Sequence, residues 1–224
     1  TSALPVLYPH RVLLGVGLIA VVVLANLRGV RESGRIFAVP TYCFLTTLGL
    51  LVLLGLLALA KEGRPGPVSL PNLGGTVSMF LILRAFASGA TALTGIEAIS
   101  NGVPVFRPPE ARNAGITLIW MAALLGLLFL GVTVLAVGFG VIPREGETAI
   151  SLLARRVFGG GVLYYATQAA TALILVLAAN TSFADFPRLA SILARDGFLP
   201  RQLASRGDRL VFSNGIVILG LAAV

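Results

Sequence analysis

One acidic residue, Glu97, lies deep inside a long apolar stretch of the sequence. If that stretch crosses a membrane, a carboxylate at the bilayer centre costs roughly 2.5 to 3.5 kcal/mol on insertion scales, which favours a functional role. Thr94 lies three residues earlier, and helical residues three apart point roughly to the same side. Together with exposed backbone carbonyls, the oxygen atoms of these two side chains could replace the hydration shell of a monovalent cation. A buried carboxylate also retains its proton more readily than an exposed one, so Glu97 could instead carry a proton.

The segment around these two residues predicts an interrupted helix. It covers residues 88–106 and reads SGATALTGIEAISNGVPVF. It contains the glycines Gly89, Gly95 and Gly102 and the hydroxyl residues Ser88, Thr91, Thr94 and Ser100. Each glycine weakens a helix by about 1 kcal/mol relative to alanine, and the hydroxyl groups can bond backbone groups that an opened helix frees.

Opened backbone at membrane depth is tolerated only where it is buried in protein or lines a cavity that holds water. We therefore predict a broken helix over 77–105, with a binding site at the break. The structural alternative is a protonated Glu97 that bonds a neighbouring helix and serves packing alone.

A second and weaker polar cluster lies within the apolar run 161–192. The adjacent hydroxyl groups of Thr181 and Ser182 could contribute to a second cation site, of the type that binds sodium, against another helix. The alternative is that both hydroxyl groups bond the carbonyl four residues earlier, as is common in membrane helices. Three further polar residues in this run follow helical spacing and could form a polar seam that faces other helices: Tyr164, Gln168 and Thr171.

The elements that must position these residues are membrane-spanning helices. Hydrophobic residues make up 57% of the chain, charged residues 12%, and the mean hydropathy is +0.95, whereas about 25% of residues in soluble domains are charged. Since about 20 apolar residues cross a bilayer, the sequence predicts five spans and the start of a sixth. The predicted spans are 12–27, 36–60, 77–105, 114–142, 161–192 and 210–224. The last run ends with the chain, so we expect a fragment of an all-α membrane protein.

The net charge of +8 comes from basic residues in the connectors beside apolar runs, which indicates a lipid bilayer rather than nucleic acid as the partner. Connectors that alternate across the membrane carry ten Lys and Arg residues on one face and seven on the other. The positive-inside rule makes the first face cytoplasmic. With one histidine and one cysteine in the chain, neither a Ser-His-Asp triad nor a His or Cys metal cluster is expected. We predict no enzymatic activity, no cofactor and no metal centre.

Four segments resemble a known family. They are NLRGVRESG at 26–34, the segment at 88–106, RPPEARNAG at 107–115 and NTSFADFPRLASILARDGFLPRQL at 180–203. They resemble the amino acid, polyamine and organocation (APC) superfamily of permeases. Within it, TALTGIEAISN and NTSFADFPRLA are most similar to the proton-coupled potassium importers.

The resemblance implies a fold of two inverted repeats of five helices each. This chain, 1–224, would be one partial transmembrane transporter domain that contains the fourth to eighth helices and part of the ninth. The broken sixth helix would correspond to 77–105.

The resemblance also implies site residues. In the potassium branch, a threonine and a glutamate of the broken sixth helix line the cation site, and they correspond to Thr94 and Glu97. In amino acid permeases of the superfamily, the same opening receives the carboxylate or amine of the substrate, which corresponds to Ser88, Gly89 and Ala90. Thr91 lies directly beside them and is also a predicted substrate- or ion-binding residue. The lysine that some amino acid permeases use in the fifth helix has no counterpart in 36–60.

The leading hypothesis is therefore secondary active import of potassium with protons across a bacterial cytoplasmic membrane, by alternating access. Thr94 and nearby carbonyls would ligate the cation, and Glu97 would supply charge or carry the proton. The first alternative is an amino acid permease of the same fold. The second is a membrane receptor or structural protein without transport.

Overall fold

The computed structural model describes residues 3, 5–28, 34–62, 78–90, 95–142, 146–204 and 212–224. Eight α-helices occur in these ranges. They are α1 (Arg11–Leu27), α2 (Gly34–Glu62), α3 (Met79–Ala90), α4 (Ile96–Asn101), α5 (Glu110–Gly138), α6 (Ala149–Phe158), α7 (Val162–Arg195) and α8 (Ser213–Ala222). Three 3-10 helices accompany them, at Pro5–His10, Val103–Val105 and Arg201–Leu203.

Four helical segments in the described ranges are long and apolar enough to cross a membrane. They are Val6–Leu27, Ala38–Lys61, Glu110–Gly138 and Val162–Arg195. The run expected at 77–105 is divided between α3, α4 and the 3-10 helix Val103–Val105. The interruption that the glycines of this run predict is thus present.

Helix α5 begins and ends four residues before the predicted 114–142. Pro109 has an extended backbone just before the helix, and Glu110 follows in the first turn, where a negative charge interacts favourably with the helix dipole. At the other end, Gly140 has a φ of 63°, a left-handed conformation that commonly stops helices. The two ends of α5 are therefore determined by local backbone conformation and not by the length of the apolar run.

Helix α6 lies in the stretch that the sequence analysis treats as a connector. The Thr148 side chain accepts a hydrogen bond from the Ser151 backbone N–H at 3.3 Å, which is an N-cap. Gly159, with a φ of 68°, ends the helix. Its buried residues are Ser151, Leu153 and Ala154, and it packs against α7.

The chain divides into two compact units, and the expectation of one partial transporter domain over 1–224 stays a prediction. The first comprises Thr1–Gly55 and Val141–Val224, and the second comprises Leu56–Gly140.

In the first unit, α1, α7 and α8 pack together around Val22, Phe183 and Ile216. Helix α8 runs antiparallel to α7, because Gly215 lies beside Pro187 and Gly220 lies beside Phe183. A Cβ atom on Gly215 would be only 2.9 Å from the Pro187 Cα atom. Small residues allow this close backbone approach, as in other membrane helix pairs.

In the second unit, α4 and the 3-10 helix Val103–Val105 pack against α5. Near the end of α5, the Leu59 side chain occupies the space where a Cβ atom of Gly138 would lie. The residues of α3 are all exposed in this chain. In the second unit, the interrupted helix therefore packs against α5 through its C-terminal half, α4.

Candidate functional site

The helical break lies inside the predicted segment. Helix α3 ends at Ala90, and α4 begins at Ile96. Gly95 directly precedes α4 and has a φ of 100°, which an α-helix of L-residues cannot contain and which glycine adopts without steric cost. The glycine is thus required for the break itself. Thr91 and Thr94 lie outside the described residues.

Three of the predicted site residues, Ser88, Gly89 and Ala90, form the C-terminal end of α3. All three are exposed. Their role in binding a cation or a polar substrate stays a prediction.

Glu97 is the second residue of α4, and its side chain lies outside the described residues. Ser100, one turn later, donates its hydroxyl hydrogen to the Ile96 carbonyl oxygen at 3.1 Å, so this hydroxyl supports the short helix. Helix α4 packs against α5, so the backbone of Glu97 lies in a helix that contacts a long neighbouring helix.

Thr181 and Ser182 are adjacent and exposed on α7, which belongs to the first compact unit. The Thr181 hydroxyl group donates to the Leu177 carbonyl oxygen at 3.2 Å, which is the structural alternative expected for this residue. The bond uses the hydrogen of the hydroxyl group, and its oxygen keeps lone pairs that can bind a cation. Both the structural and the cation-binding role are compatible with this geometry.

Sequence reasoning missed Asp185, which is exposed one helical turn after Thr181. Residues four apart are neighbours on a helix surface, so a carboxylate lies near the two hydroxyl groups. Asp185 could have been predicted from its position, because it is one helical turn after two adjacent hydroxyl residues.

An amide pair between α1 and α7 was likewise not predicted from the sequence. The Asn26 side-chain nitrogen donates to the Asn180 Oδ1 atom at 2.7 Å and to the Val22 carbonyl oxygen at 2.9 Å. Both asparagines are partly buried. The pair lies next to the apolar cluster of Val22, Phe183 and Ile216 and directly precedes Thr181.

A second polar network joins α6 to the start of α7. Ser151 and Tyr164 are buried, and their hydroxyl oxygens are 3.0 Å apart. Arg155 donates to the Tyr164 hydroxyl oxygen at 3.2 Å and forms an ion pair with Glu147, also at 3.2 Å. The hydrogen bond to Tyr164, followed by the electrostatic interactions with Tyr164 and Glu147, raises the pKa of Arg155 above its ordinary value.

The polar seam predicted on α7 begins at this network. Tyr164 is buried in it, and the Thr171 hydroxyl group donates to the Thr167 carbonyl oxygen at 2.7 Å. The side-chain nitrogen of Gln168 is buried and has no hydrogen-bond partner within the described part of the chain. Thr167 is also buried, and the sequence analysis did not single it out.

Two comparisons relate the chain to known proteins. A family model described as Amino acid permease matches residues 4–224. The chain is 48% identical over 227 residues to the Potassium transporter KimA of Bacillus subtilis (strain 168), and the match covers 100% of this chain and 37% of that protein. The chain therefore spans little more than a third of the length of this relative.

Proposed function

We propose that this chain, which belongs to the amino acid permease family, forms part of a secondary active transporter that imports potassium together with protons. The family places it in the cell membrane as a multi-pass protein, and its four long apolar helices fit this location. The proposed substrate follows from the 48% identity to a potassium transporter.

The observation that carries the proposal is the helix break at Gly95, which directly precedes the helix that bears Glu97. Opened backbone and a carboxylate are each costly inside a membrane. Their occurrence within three residues of each other is explained if a cation or a proton must be bound there. In this proposal, Thr94 and the carbonyl groups of 88–91 ligate potassium, while Glu97 supplies negative charge or carries the coupled proton.

Thr181 and Ser182 provide a separate candidate cation site. Both residues are exposed on α7, and oxygen atoms such as those of their hydroxyl groups are the ligands that hard cations prefer. Transport would proceed by alternating access, in which the bound ion is exposed first to one side of the membrane and then to the other. The proposal is transport of an unchanged solute and requires no cofactor and no catalytic residue.

The alternative substrate is an amino acid. The description of the matching family model favours it, and the exposed end of α3 at Ser88, Gly89 and Ala90 offers backbone groups for a substrate carboxylate or amine. The same uptake assay distinguishes the two proposals when it is run with potassium and with amino acids.

The test is uptake of potassium and of a panel of amino acids by the full-length protein in lipid vesicles with an imposed pH gradient. We expect potassium uptake that depends on the gradient. Thr94→Ala should raise KM for potassium, and Glu97→Gln should lower uptake at least about tenfold, since each 1.4 kcal/mol of lost interaction is a factor of ten. Glu110→Gln, at the exposed start of α5, is the matched control and should transport normally.

Amino acid uptake without potassium uptake would establish the alternative. Normal potassium uptake in both site variants would show that the broken helix is not part of the potassium site.

A further inference from the structure

We propose that the amide pair of Asn26 and Asn180 is a positioning device, which holds α7 in the rotation that presents Thr181 and Ser182 to the transported cation. The inference rests on the proposed function, because it assigns a supporting role to the second candidate cation site. Its physical basis is a hydrogen-bonded contact between two membrane-spanning helices, immediately before the two hydroxyl residues.

The geometry of the pair is specific. The side-chain nitrogen of Asn26 donates to Asn180 Oδ1 at 2.7 Å and to the Val22 carbonyl oxygen at 2.9 Å. A carbonyl oxygen can only accept, so the nitrogen atom of Asn26 must occupy this position. Both hydrogens of this amide group are then used, one within α1 and one across to α7.

Because successive residues of a helix are separated by a fixed angle, this single contact favours one rotation of α7 about its axis. Successive residues of an α-helix are about 100° apart around its axis. The side of α7 that carries Asn180 also carries Phe183 and Pro187, which are buried against α1 and α8. Thr181, Ser182 and Asp185 are exposed, because this rotation turns them away from those contacts.

Val22, Phe183 and Ile216 form an apolar cluster, and Gly215 lies against Pro187, so the apolar packing also favours this rotation. The amide pair adds a directional contact, because lipid tails are as apolar as these side chains and offer no hydrogen-bond partner. An amide pair does not tolerate a slip of one residue, since the hydrogen bond between the two side chains would be lost in an apolar environment. Single buried asparagines define helix register in coiled coils by the same physics.

The test compares Asn26→Leu and Asn180→Leu with Val22→Ala in the full-length protein in lipid vesicles. Leucine preserves the branched shape of asparagine and removes the amide. Val22→Ala removes apolar contact in the same cluster and leaves both amides in place, so it controls for a loss of stability alone. We expect each leucine variant to raise KM for potassium roughly three- to tenfold, as for the loss of one hydrogen bond between membrane helices. Val22→Ala should lower the thermal midpoint and leave KM unchanged.

A second measurement does not depend on the substrate. In a background in which Cys43 and any further cysteine of the full-length protein are replaced by serine, the rate at which a small thiol reagent labels Ser182→Cys reports how exposed position 182 is. Adding Asn180→Leu should change this rate several-fold, because α7 is then free to rotate, whereas adding Val22→Ala should not.

The two failures are distinguishable. If the wild-type protein moves no potassium, the proposed function is wrong, and the labelling rates still decide the role of the amide pair. If potassium uptake is normal in the wild type, the inference is wrong when the leucine variants keep the wild-type KM and labelling rate. It is also wrong when Val22→Ala alters both as strongly as they do.

Discussion

Two glycines, Gly95 and Gly215, lie in different compact units and serve different physical needs. Gly95 has a φ of 100°, and a Cβ atom added to it would meet nothing within 4 Å. Gly215 lies inside α8, and a Cβ atom added to it would lie 2.8 Å from the Pro187 Cβ atom and 2.9 Å from its Cα atom. The first glycine is needed for its backbone conformation, and the second for its small size.

The difference between the two glycines extends to the regions around them. Around Gly215, helices α1, α7 and α8 are closely packed, and an amide pair joins two of them. Around Gly95 the helix is interrupted, and the preceding α3 is exposed along its whole length in this chain. We therefore expect a change at Gly215 to act on the packing of α1, α7 and α8, and a change at Gly95 to act on the helix break. Changing one contact in either region therefore separates effects on stability from effects on transport.

The largest effect is expected for Gly215→Ala. The new methyl group would meet backbone atoms of Pro187 that cannot move independently of α7, so we expect a loss of about 2 to 3 kcal/mol of stability, near the upper end for an overpacked site. A thermal unfolding series on the purified protein in detergent measures it. Gly17→Ala in α1, where nothing lies within 4 Å of the new Cβ atom, is the control and should be neutral or slightly stabilising. Equal midpoints for the two variants would contradict the close approach of α7 and α8.

Gly95→Ala should affect transport more than unfolding. An L-residue in the left-handed region costs roughly 1 to 2 kcal/mol, which shifts a conformational equilibrium about 5- to 30-fold. Since the strain falls on the break, we expect a lower uptake rate with a small change in the thermal midpoint. Gly126→Ala in α5 also has open space around it and should leave uptake unchanged. A large fall in the thermal midpoint without a change in uptake would show that Gly95 is needed for stability and not for transport.

The sequence predicted the break in the third apolar run for a physical reason. A glycine that interrupts an apolar helix next to hydroxyl residues is recognisable locally, because its effect depends on the backbone of its own segment. The long apolar helices were recognisable for the same reason, since length and apolarity are properties of each segment alone. Family membership was likewise recognised from contiguous segments, such as NTSFADFPRLA.

The contacts between helices were not predictable in this way. Asn26 and Asn180 are 154 residues apart in the chain, and nothing in either segment indicates that the other faces it. Gly215 has no local feature that distinguishes it from other helical glycines, because its requirement comes from Pro187 on another helix. Helix α6 was missed because its ten residues are too few and too polar to be recognised as a membrane span.

Tyr164→Phe tests whether the packed region also depends on polar contacts. The substitution removes the hydroxyl group that bonds Ser151 and Arg155, and Ser151 is fully buried. We expect a loss of about 1 to 2 kcal/mol, the usual cost of a buried polar group without its partner. The exposed neighbour in Tyr165→Phe is the control. In a Ser151→Ala background the loss should be smaller, and an unchanged loss would show that Ser151 does not depend on Tyr164.

The smallest effect is expected for Glu147→Gln, which removes the charge that pairs with Arg155. Both side chains are substantially exposed, at 31% and 49%, and solvent-exposed ion pairs contribute little and are screened by salt. We expect a slightly lower thermal midpoint at low salt and no difference at high salt. The raised pKa of Arg155 adds no pH dependence in the physiological range, because its contribution is lost only as the pH rises through the folded-state value, far above that range. A large decrease that persists at high salt would mean that the ion pair, rather than the Tyr164 hydroxyl group, holds α6 against α7.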